Sequence, residues 1–330
     1  MLAQLPKIAL IGGGTGSFTL LQGLKKITPH LTAIVNMSDD GGSTGVLRDE
    51  LGVLPPGDVR QCLVALSGRQ EVRNLFSYRF ADGRFEGHSL GNIILSGLEL
   101  QYGSFEKAIK VASKILNITG KVVPASLDKH ILVMEDGDKI ILGENNIGQH
   151  PINNSDAKIR LQPPAGLNPE AGTAIAQADL IIIAPGNIYS SLLPVFAVEG
   201  MVDAITSSEA TVVCFTNLVT KPGQTDGWHV VDYVKQYERY LGEGQIDVVF
   251  YNNEPISKEL LSKYASEGEF PVSITKSRMD EIQAKAIGDR LVSPDIAIQD
   301  PNDKFIKRTL IRHDINQVIA QMESLLGQNK

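Results

Sequence analysis

A glycine-rich segment near the start of the chain, "ALIGGGTGSFTLLQGLKK" at residues 9–26, constrains the fold more than any other feature. The apolar run over residues 5–11 predicts a buried strand, and the leucines within residues 18–26 predict a helix. Four glycines stand between them: Gly12, Gly13, Gly14 and Gly16. A strand, a glycine-rich turn and a helix in this order are typical of an α/β fold built on a parallel sheet.

The glycine-rich turn matches neither standard nucleotide-binding motif. Counted from Gly12, a G-x-G-x-x-G motif fails at Ser17, and no lysine follows Gly16 as a Walker A loop requires. Glycines still let the backbone approach an anion, and the first turn of a helix offers free N–H groups. Thr15 and Ser17 add hydroxyl groups. We therefore expect residues 12–17 to bind a phosphate; a tight structural turn is the alternative.

A second polar loop, "NMSDDGGSTG", follows the strand predicted at residues 31–35. Open parallel sheets bind ligands at the carboxyl ends of their strands. Asp39 and Asp40 offer carboxylates for sugar hydroxyls or for a divalent cation such as Mg²⁺. A second anion-binding turn is predicted at Gly41, Gly42 and Ser43. A solvated Asp-Gly turn is the alternative.

Two more polar loops follow later apolar runs, in "IAPGNIYSSLLP" and "FTNLVTKPGQTDGW". Because the carboxyl ends of parallel strands meet at one edge of a sheet, all four loops should line one cleft. The candidate ligand-binding residues in these two loops are Gly186, Asn187, Tyr189, Ser190, Asn217 and Thr220. No Ser-His-Asp order with a G-x-S-x-G elbow occurs, which argues against a hydrolase.

Three polar residues near predicted helices are further candidates. Arg60 follows Asp58 at the start of the helix in "PPGDVRQCLVALSG", where it is either a phosphate-binding cation or half of a surface pair. His88 is either a ligand or acid/base group or a structural residue. Asn92 lies among isoleucines and leucines, which predicts a facing polar partner.

The sequence pattern changes at about residues 119–161, where β-rich runs surround a turn. "KHILVMEDGDKIILGE" places Asp136 and Gly137 between two β-rich runs, a hairpin signal. We interpret this region as a small β-rich excursion within one α/β nucleotide-binding domain at residues 1–330. Later apolar runs such as "ADLIIIAPGN" are typical of central parallel strands. The predicted fold is a doubly wound, Rossmann-like, mostly parallel sheet.

Composition excludes several classes of protein. The formal net charge is -7 and no Lys/Arg-rich block occurs, which argues against nucleic-acid binding. Cys62 and Cys214 lie among apolar residues and are predicted to be buried, and no Cys/His cluster indicates zinc. No apolar run reaches the ~18 residues of a membrane span. We expect a cytoplasmic protein that binds no nucleic acid and no membrane.

Five motifs together carry a resemblance to a known family. In chain order they are "IGGGTGS", "SDDGGSTGVLRDELGVLPPGDVRQCLVAL", "GHSLGNIIL", "ADLIIIAPGNIYSSLLP" and "TNLVTKPGQTDG". The chain resembles the YvcK-like gluconeogenesis factor family, a bacterial branch of the 2-phospho-L-lactate transferase (CofD-like) superfamily. The resemblance extends from about residue 6 to "LIRHDINQV", nearly the whole chain.

The resemblance implies a doubly wound α/β fold and a non-catalytic regulatory role. The implied ligand is a UDP-sugar such as UDP-N-acetylglucosamine, or a dinucleotide phosphate. The implied role supports gluconeogenic growth and cell-wall precursor synthesis or cell shape, with a metabolic enzyme as partner and a homo-oligomeric state. The alternative is a magnesium-dependent transferase that joins a phospholactyl nucleotide to a deazaflavin alcohol.

The resemblance also implies site residues. It assigns the phosphate cradle to residues 12–16, the second loop to residues 39–43, and the rest of the cleft to residues 186–190 and Asn217. Tyr264 and Arg312 match the family pattern as base-stacking and diphosphate-pairing groups, with core packing and a surface charge as the alternatives.

The chain departs from the family pattern in two places. "APGN" at residues 184–187 replaces G-P-G-S, and "KPGQT" at residues 221–225 replaces Q-P-G-E-T. Gln224 lacks the carboxylate that the family glutamate has at this position, which argues against a catalytic or metal-binding role there.

Overall fold

The structure is a computed structural model that describes residues 5–152, 156–294 and 311–328. The strands are β1 (Ile8–Gly12), β2 (Leu31–Val35), β3 (Lys121–Pro124), β4 (Ile131–Asp136), β5 (Lys139–Leu142), β6 (Lys158–Gln162), β7 (Leu180–Ile183), β8 (Thr211–Phe215), β9 (Val248–Asn252) and β10 (Lys285–Asp289). The helices are α1 (Gly14–Leu24), α2 (Gly42–Leu51), α3 (Gly57–Leu66), α4 (Gln70–Ser77), α5 (Leu90–Tyr102), α6 (Phe105–Leu116), α7 (Glu144–Gln149), α8 (Pro169–Ala176), α9 (Leu193–Phe196), α10 (Met201–Thr206), α11 (Val230–Leu241), α12 (Lys258–Ala265), α13 (Lys276–Met279) and α14 (Ile315–Gln328).

The main sheet has seven strands in the order β10-β9-β8-β7-β1-β2-β3, and every neighbouring pair is parallel. The chain winds outward from β1 to β3 and then from β7 to β10 in the opposite direction. The strand order therefore reverses between β1 and β7, where open α/β sheets form a ligand crevice. The predicted doubly wound parallel sheet is confirmed.

Helices cover both faces of this sheet because its strands are apolar on both sides. Along β1, Ile8 and Leu10 belong to the core beneath α1, α3 and α6, whereas Ala9 and Ile11 belong to the core on the opposite face. All four side chains are at most 2% exposed. Burial on two faces explains why the central strands read as continuous apolar runs.

The β-rich excursion is a three-stranded antiparallel sheet in the order β5-β4-β6. The predicted hairpin is confirmed, with Gly137 at φ +61° in its turn. The predicted start near residue 119 was wrong, because β3 pairs in parallel with β2 and extends the main sheet. The excursion therefore begins at β4 and its strands end at Gln162, just before Pro163. Leu132 of β4 is buried in the same core as Ala9 and Ile11.

One helix boundary differs from the prediction. Helix α1 begins at Gly14 rather than near residue 18, so Gly14 and Gly16 belong to its first turn. Further along the chain, α9 and α10 are separate short helices, and Gly200 between them adopts φ +87°. Both cysteines are buried, as predicted. None of the helices in the described part of the chain has the length and apolar character needed to cross a membrane.

Candidate functional site

The loops that follow β2, β1, β7 and β8 lie side by side at the carboxyl edge of the main sheet. Hydrogen bonds join them: Asn217 accepts from the Gly186 N–H at 2.9 Å and donates to the Gly186 carbonyl at 3.0 Å. Asn36, at the end of β2, donates to the Ser190 carbonyl at 3.2 Å. The polar residues that the sequence places at separate strand ends therefore meet in one cleft.

A cavity of about 350 Å³ opens between the loops that follow β1, β7 and β8 and the segment before α14. These three are the first, third and fourth of the four polar loops in chain order. This volume is in the usual range for a small-molecule site, about 300–1,000 Å³. The sequence-predicted residues that line it are Gly13, Gly14, Thr15, Gly16, Gly186, Asn187, Asn217, Thr220 and Arg312.

A larger cleft of about 500 Å³ lies at the opposite edge of the sheet, between the amino ends of β1, β2 and β3 and helix α8. Its charged lining residues include Lys7, Lys121 and Glu170. Ligands of open α/β sheets bind outside the carboxyl ends of the strands. We therefore place the functional site in the smaller cavity.

Two of the four glycines in the first loop are required for packing. A Cβ atom on Gly16 would lie 1.9 Å from the Pro185 carbonyl oxygen, so α1 contacts the third loop without a side chain between them. A Cβ atom on Gly12 would lie 2.6 Å from the Ser17 hydroxyl oxygen. The side chain of Ser17 is thus directed into the interior, and the residue is fully buried.

The carboxyl group of Asp58 occupies part of the predicted phosphate cradle. A Cβ atom on Gly13 would lie 2.0 Å from Asp58 Oδ2, and the Gly14 N–H donates to the same carboxyl group. Gly14 itself adopts φ +65° and has only Asp58 within 4 Å of a built Cβ. The remaining amides of the first turn belong to Thr15 and Gly16. The anion site is therefore smaller than the sequence predicts.

Carboxyl groups of Asp39, Asp58 and Glu144 lie near one another beside this loop. Burial raises the pKa of Asp39, although the Gly41 N–H donates to it at 3.0 Å. Burial, followed by the charges of Asp39 and Glu144, raises the pKa of Asp58 to about 8. Burial raises the pKa of Glu144 to about 7, against a hydrogen bond from Ser190. A cation bound here would favour the charged forms of these carboxyl groups, and hydroxyl groups could also donate to them.

Asp40 makes contacts that the sequence did not predict. Its carboxylate accepts the backbone N–H groups of Glu144 at 3.0 Å and Asn145 at 2.8 Å, and lies 4.0 Å from the Arg48 guanidinium. Asp40 therefore caps α7, which joins the excursion to the second loop.

Cations face the cavity from its other side. Lys221, in the fourth loop, donates through Nζ to the Gly148 carbonyl of α7. Burial lowers the pKa of Lys221, and the charge of Glu144 opposes this shift. Arg312 lines the same cavity. Glu269 also lines this cavity, and the carboxyl groups of Asp39, Asp58 and Glu144 lie beside the first loop.

Arg60 and Asn92 are paired in the interior behind the second loop. Arg60 is 6% exposed and donates through Nε to Asn92 Oδ1 at 2.9 Å. Asn92 donates to the Ser43 hydroxyl at 3.4 Å. The polar partner predicted for Asn92 is confirmed, and the alternative of a surface pair for Arg60 was wrong because the guanidinium is buried.

His88 lies apart from the cavity, near Arg79 and Glu50. Burial, followed by the charge of Arg79, lowers the pKa of His88. Neither His88 nor Gly42 is among the described residues that line the cavity.

Two predicted aromatic residues belong to the core instead. Tyr264 is 5% exposed, and its hydroxyl accepts the Ile311 N–H at 2.9 Å. Tyr189 is 2% exposed and makes an edge contact with Trp228 at 6.5 Å between ring centroids. Neither ring has the open face that base stacking requires. For Tyr264 the structure therefore shows core packing, which was the alternative.

Sequence reasoning missed three residues of the cleft: Asp58, Lys221 and Glu144. Asp58 lies in "PPGDVRQ" and Lys221 in "TKPGQT", both of them parts of motifs quoted above. A charged residue next to proline and glycine in such a motif could have identified both as site residues. Glu144 had no local signal, because only the packing of the excursion brings it to the cleft. In the described ranges, no three His, Cys, Asp or Glu side chains have the arrangement of a metal centre.

Comparison with known proteins identifies relatives over nearly the whole chain. The profile of the family described as 2-phospho-L-lactate transferase CofD matches residues 8–292. The gluconeogenesis factor of Bacillus subtilis is 38% identical over 333 residues, covering 99% of this chain and 100% of that protein. That of Halalkalibacterium halodurans is 40% identical over 317 residues, covering 94% of each. A crystal structure of a Bacillus halodurans protein matches with a TM-score of 0.87 at 36% identity, covering 97% of this chain and 100% of that chain.

Proposed function

This chain belongs to the CofD family together with the gluconeogenesis factors, and we propose that it is a regulatory protein that binds a nucleotide sugar in the cleft. The observation that carries the proposal is a cavity lined by amides and cations that lies next to the carboxyl groups of Asp39, Asp58 and Glu144. A nucleotide sugar matches this arrangement, because its diphosphate is anionic and its sugar carries hydroxyl donors.

The diphosphate is assigned to the cavity at the start of α1. The N–H groups of Thr15 and Gly16 lie at the positive end of the helix dipole, where anions are stabilised. Lys221 and Arg312 line the same cavity and supply positive charge. The uracil base of a UDP-sugar then lies along the third and fourth loops, beside Asn187 and Asn217.

The sugar is assigned to the side of the cleft that contains Asp39, Asp58 and Glu144. Carboxylates accept hydrogen bonds from sugar hydroxyls, and sharing a bound cation would relieve the repulsion that raises the pKa of Asp58. Asp39 is the predicted metal ligand that fits Mg²⁺ here, completed by phosphate oxygens of the ligand. Asp40 fits less well, because its oxygens accept two N–H groups of α7.

The relatives are named gluconeogenesis factors, which supports a role linked to gluconeogenesis. We infer a role in growth on gluconeogenic carbon sources, connected to cell-wall precursor synthesis or cell shape through a nucleotide-sugar signal. The expected output is contact with a metabolic enzyme, by a homo-oligomer, without turnover.

A transferase of the 2-phospho-L-lactate type is the second candidate, because the family profile covers residues 8–292. Such a reaction would use Mg²⁺ between Asp39 and the phosphates of the nucleotide. Metal-dependent turnover of a phospholactyl nucleotide would favour this candidate over the regulator.

Calorimetry with UDP-N-acetylglucosamine, with and without Mg²⁺, tests the proposal. We expect binding by the native protein and at least about tenfold weaker binding by Lys221→Met, since a partly buried cation at the diphosphate is lost. The matched control is Lys107→Met, an exposed lysine on α6, which should leave the affinity unchanged. Absence of binding to any UDP-sugar at millimolar concentration would refute the proposal.

A further inference from the structure

Helix α7 connects the β-rich excursion to two loops of the cleft. At its start, the Asp40 carboxylate accepts the N–H groups of Glu144 and Asn145. Past its end, the Ile152 N–H donates to the Gly223 carbonyl at 2.6 Å. The second and fourth loops therefore hold this short helix at both ends.

Gln224 makes the central contact between the fourth loop and α7. Its side-chain Nε2 donates to the Ile147 carbonyl at 2.7 Å and to the His150 carbonyl at 3.0 Å, and the residue is 6% exposed. The amide supplies both bonds, whereas an ionised carboxylate accepts hydrogen bonds and cannot donate them. A glutamate here would set a buried charge against two carbonyl oxygens.

The position of α7 determines where Glu144 stands in the cleft. Glu144 is the first residue of α7, and its carboxyl group is hydrogen-bonded by Ser190 of the third loop. It also lies within electrostatic range of Lys221, which lines the phosphate cavity. Glu144 thus connects α7 with the third loop through Ser190 and interacts electrostatically with Lys221 of the fourth loop.

We propose that Gln224 is a positioning residue of this cleft: by holding α7 it directs Glu144 toward the sugar and sets the selectivity for a nucleotide sugar over the free nucleoside diphosphate. This inference rests on the proposed function, because it assumes that a nucleotide sugar occupies the cleft. On the diphosphate side, Lys221 donates to the Gly148 carbonyl of α7, whereas the first turn of α1 contacts the third loop.

The test uses Gln224→Glu, which keeps the size of the side chain and removes both donors. The matched control is Asn146→Asp on the same helix, whose exposed amide donates to the Leu142 carbonyl at 2.9 Å within the excursion. We expect Gln224→Glu to speed amide hydrogen exchange at residues 144–152, and Asn146→Asp to leave that segment unchanged. Gln224→Met, which removes the donors without adding charge, replaces the first variant if that variant does not fold.

Affinity measurements on the same proteins test selectivity. Gln224→Glu should weaken binding of UDP-N-acetylglucosamine at least about tenfold and weaken binding of UDP by a smaller factor, because Lys221 contacts α7 whereas the first turn of α1 contacts the third loop. Glu144→Gln should give the same loss, and the double variant should lose no more than either single variant, because Gln224 acts through Glu144.

Three results would overturn the inference: additive losses in the double variant, equal losses for both ligands, or unchanged exchange at residues 144–152 in Gln224→Glu. A native protein that binds neither UDP-N-acetylglucosamine nor UDP would instead refute the proposed function, and the selectivity with it. Hydrogen exchange would then still decide whether Gln224 holds α7.

Discussion

Replacing Asp58 by asparagine should stabilise the protein at alkaline pH. Burial and the charges of Asp39 and Glu144 raise the pKa of Asp58 from 3.8 to about 8. The folded protein therefore retains a proton that the unfolded chain releases at lower pH, so stability falls as the pH rises through this window. Asparagine has no such proton, and its side-chain oxygen can still accept the Gly14 N–H.

The magnitude follows from the difference in pKa. Each pKa unit corresponds to ~1.4 kcal/mol, so the three units between pH 5 and pH 8 give an upper limit of ~4 kcal/mol. Asp58 is partly exposed, and solvent screening reduces the expected gain to about 2–4 kcal/mol. With an unfolding entropy of ~2.1 cal/mol/K per residue over the 330 residues, this gain corresponds to a rise in Tm of about 3–6 °C.

Thermal or guanidinium unfolding of both proteins at pH 5 and pH 8 measures the effect. We expect the advantage of Asp58→Asn to be larger at pH 8 than at pH 5. Asp138→Asn, an exposed change in the turn of the excursion hairpin, should show no such difference. An equal advantage at both pH values, or a loss at pH 8, would refute the electrostatic reasoning.

Two further changes test packing and burial. Gly16→Ala places a Cβ atom 1.9 Å from the Pro185 carbonyl oxygen, so it should lower the free energy of unfolding in denaturant by about 1–3 kcal/mol. Gly97→Ala is the control, because Gly97 is exposed on α5 with open space around it, and this change should raise the free energy of unfolding by about 0.5–1 kcal/mol. Burial lowers the pKa of His313 to about 4, although its hydrogen bond to the Thr216 carbonyl opposes this shift. The unfolded chain therefore binds a proton at a higher pH than the folded protein does, so the free energy of unfolding should fall by up to ~3 kcal/mol as the pH falls from about 6.5 to 4. His313→Gln should remove that part of the pH dependence, and an unchanged slope would show that His313 is not its source.

The structure also changes a test that the sequence suggests for the first loop. A bulky residue at position 14 would fill the predicted phosphate space, but Gly14 adopts φ +65°. A β-branched residue is strained there whatever the space around it. Substitution of Gly14 therefore perturbs the backbone and the anion site together, which makes Lys221 the better position for a binding test.

The sequence alone determined the fold class and the edge of the sheet where the polar loops meet. These features depend on local patterns: apolar runs that specify buried strands, glycines that allow a tight turn into α1, and an Asp-Gly pair that specifies a hairpin. The chain order of parallel strands then places their polar ends together. For this reason the predictions for Gly186 and Asn217 agree with the cavity lining that the structure shows.

Only the tertiary structure decided which polar groups face the cleft. Asp40 contacts Glu144 across 104 residues of sequence, and Asn36 contacts Ser190 across 154. No periodicity or turn preference encodes such pairs, because their energy arises only when separate elements pack. The same packing buries Arg60 against Asn92 and Tyr264 within the core. Local chemistry thus specified the strands and their ends, and long-range packing selected the residues that form the site.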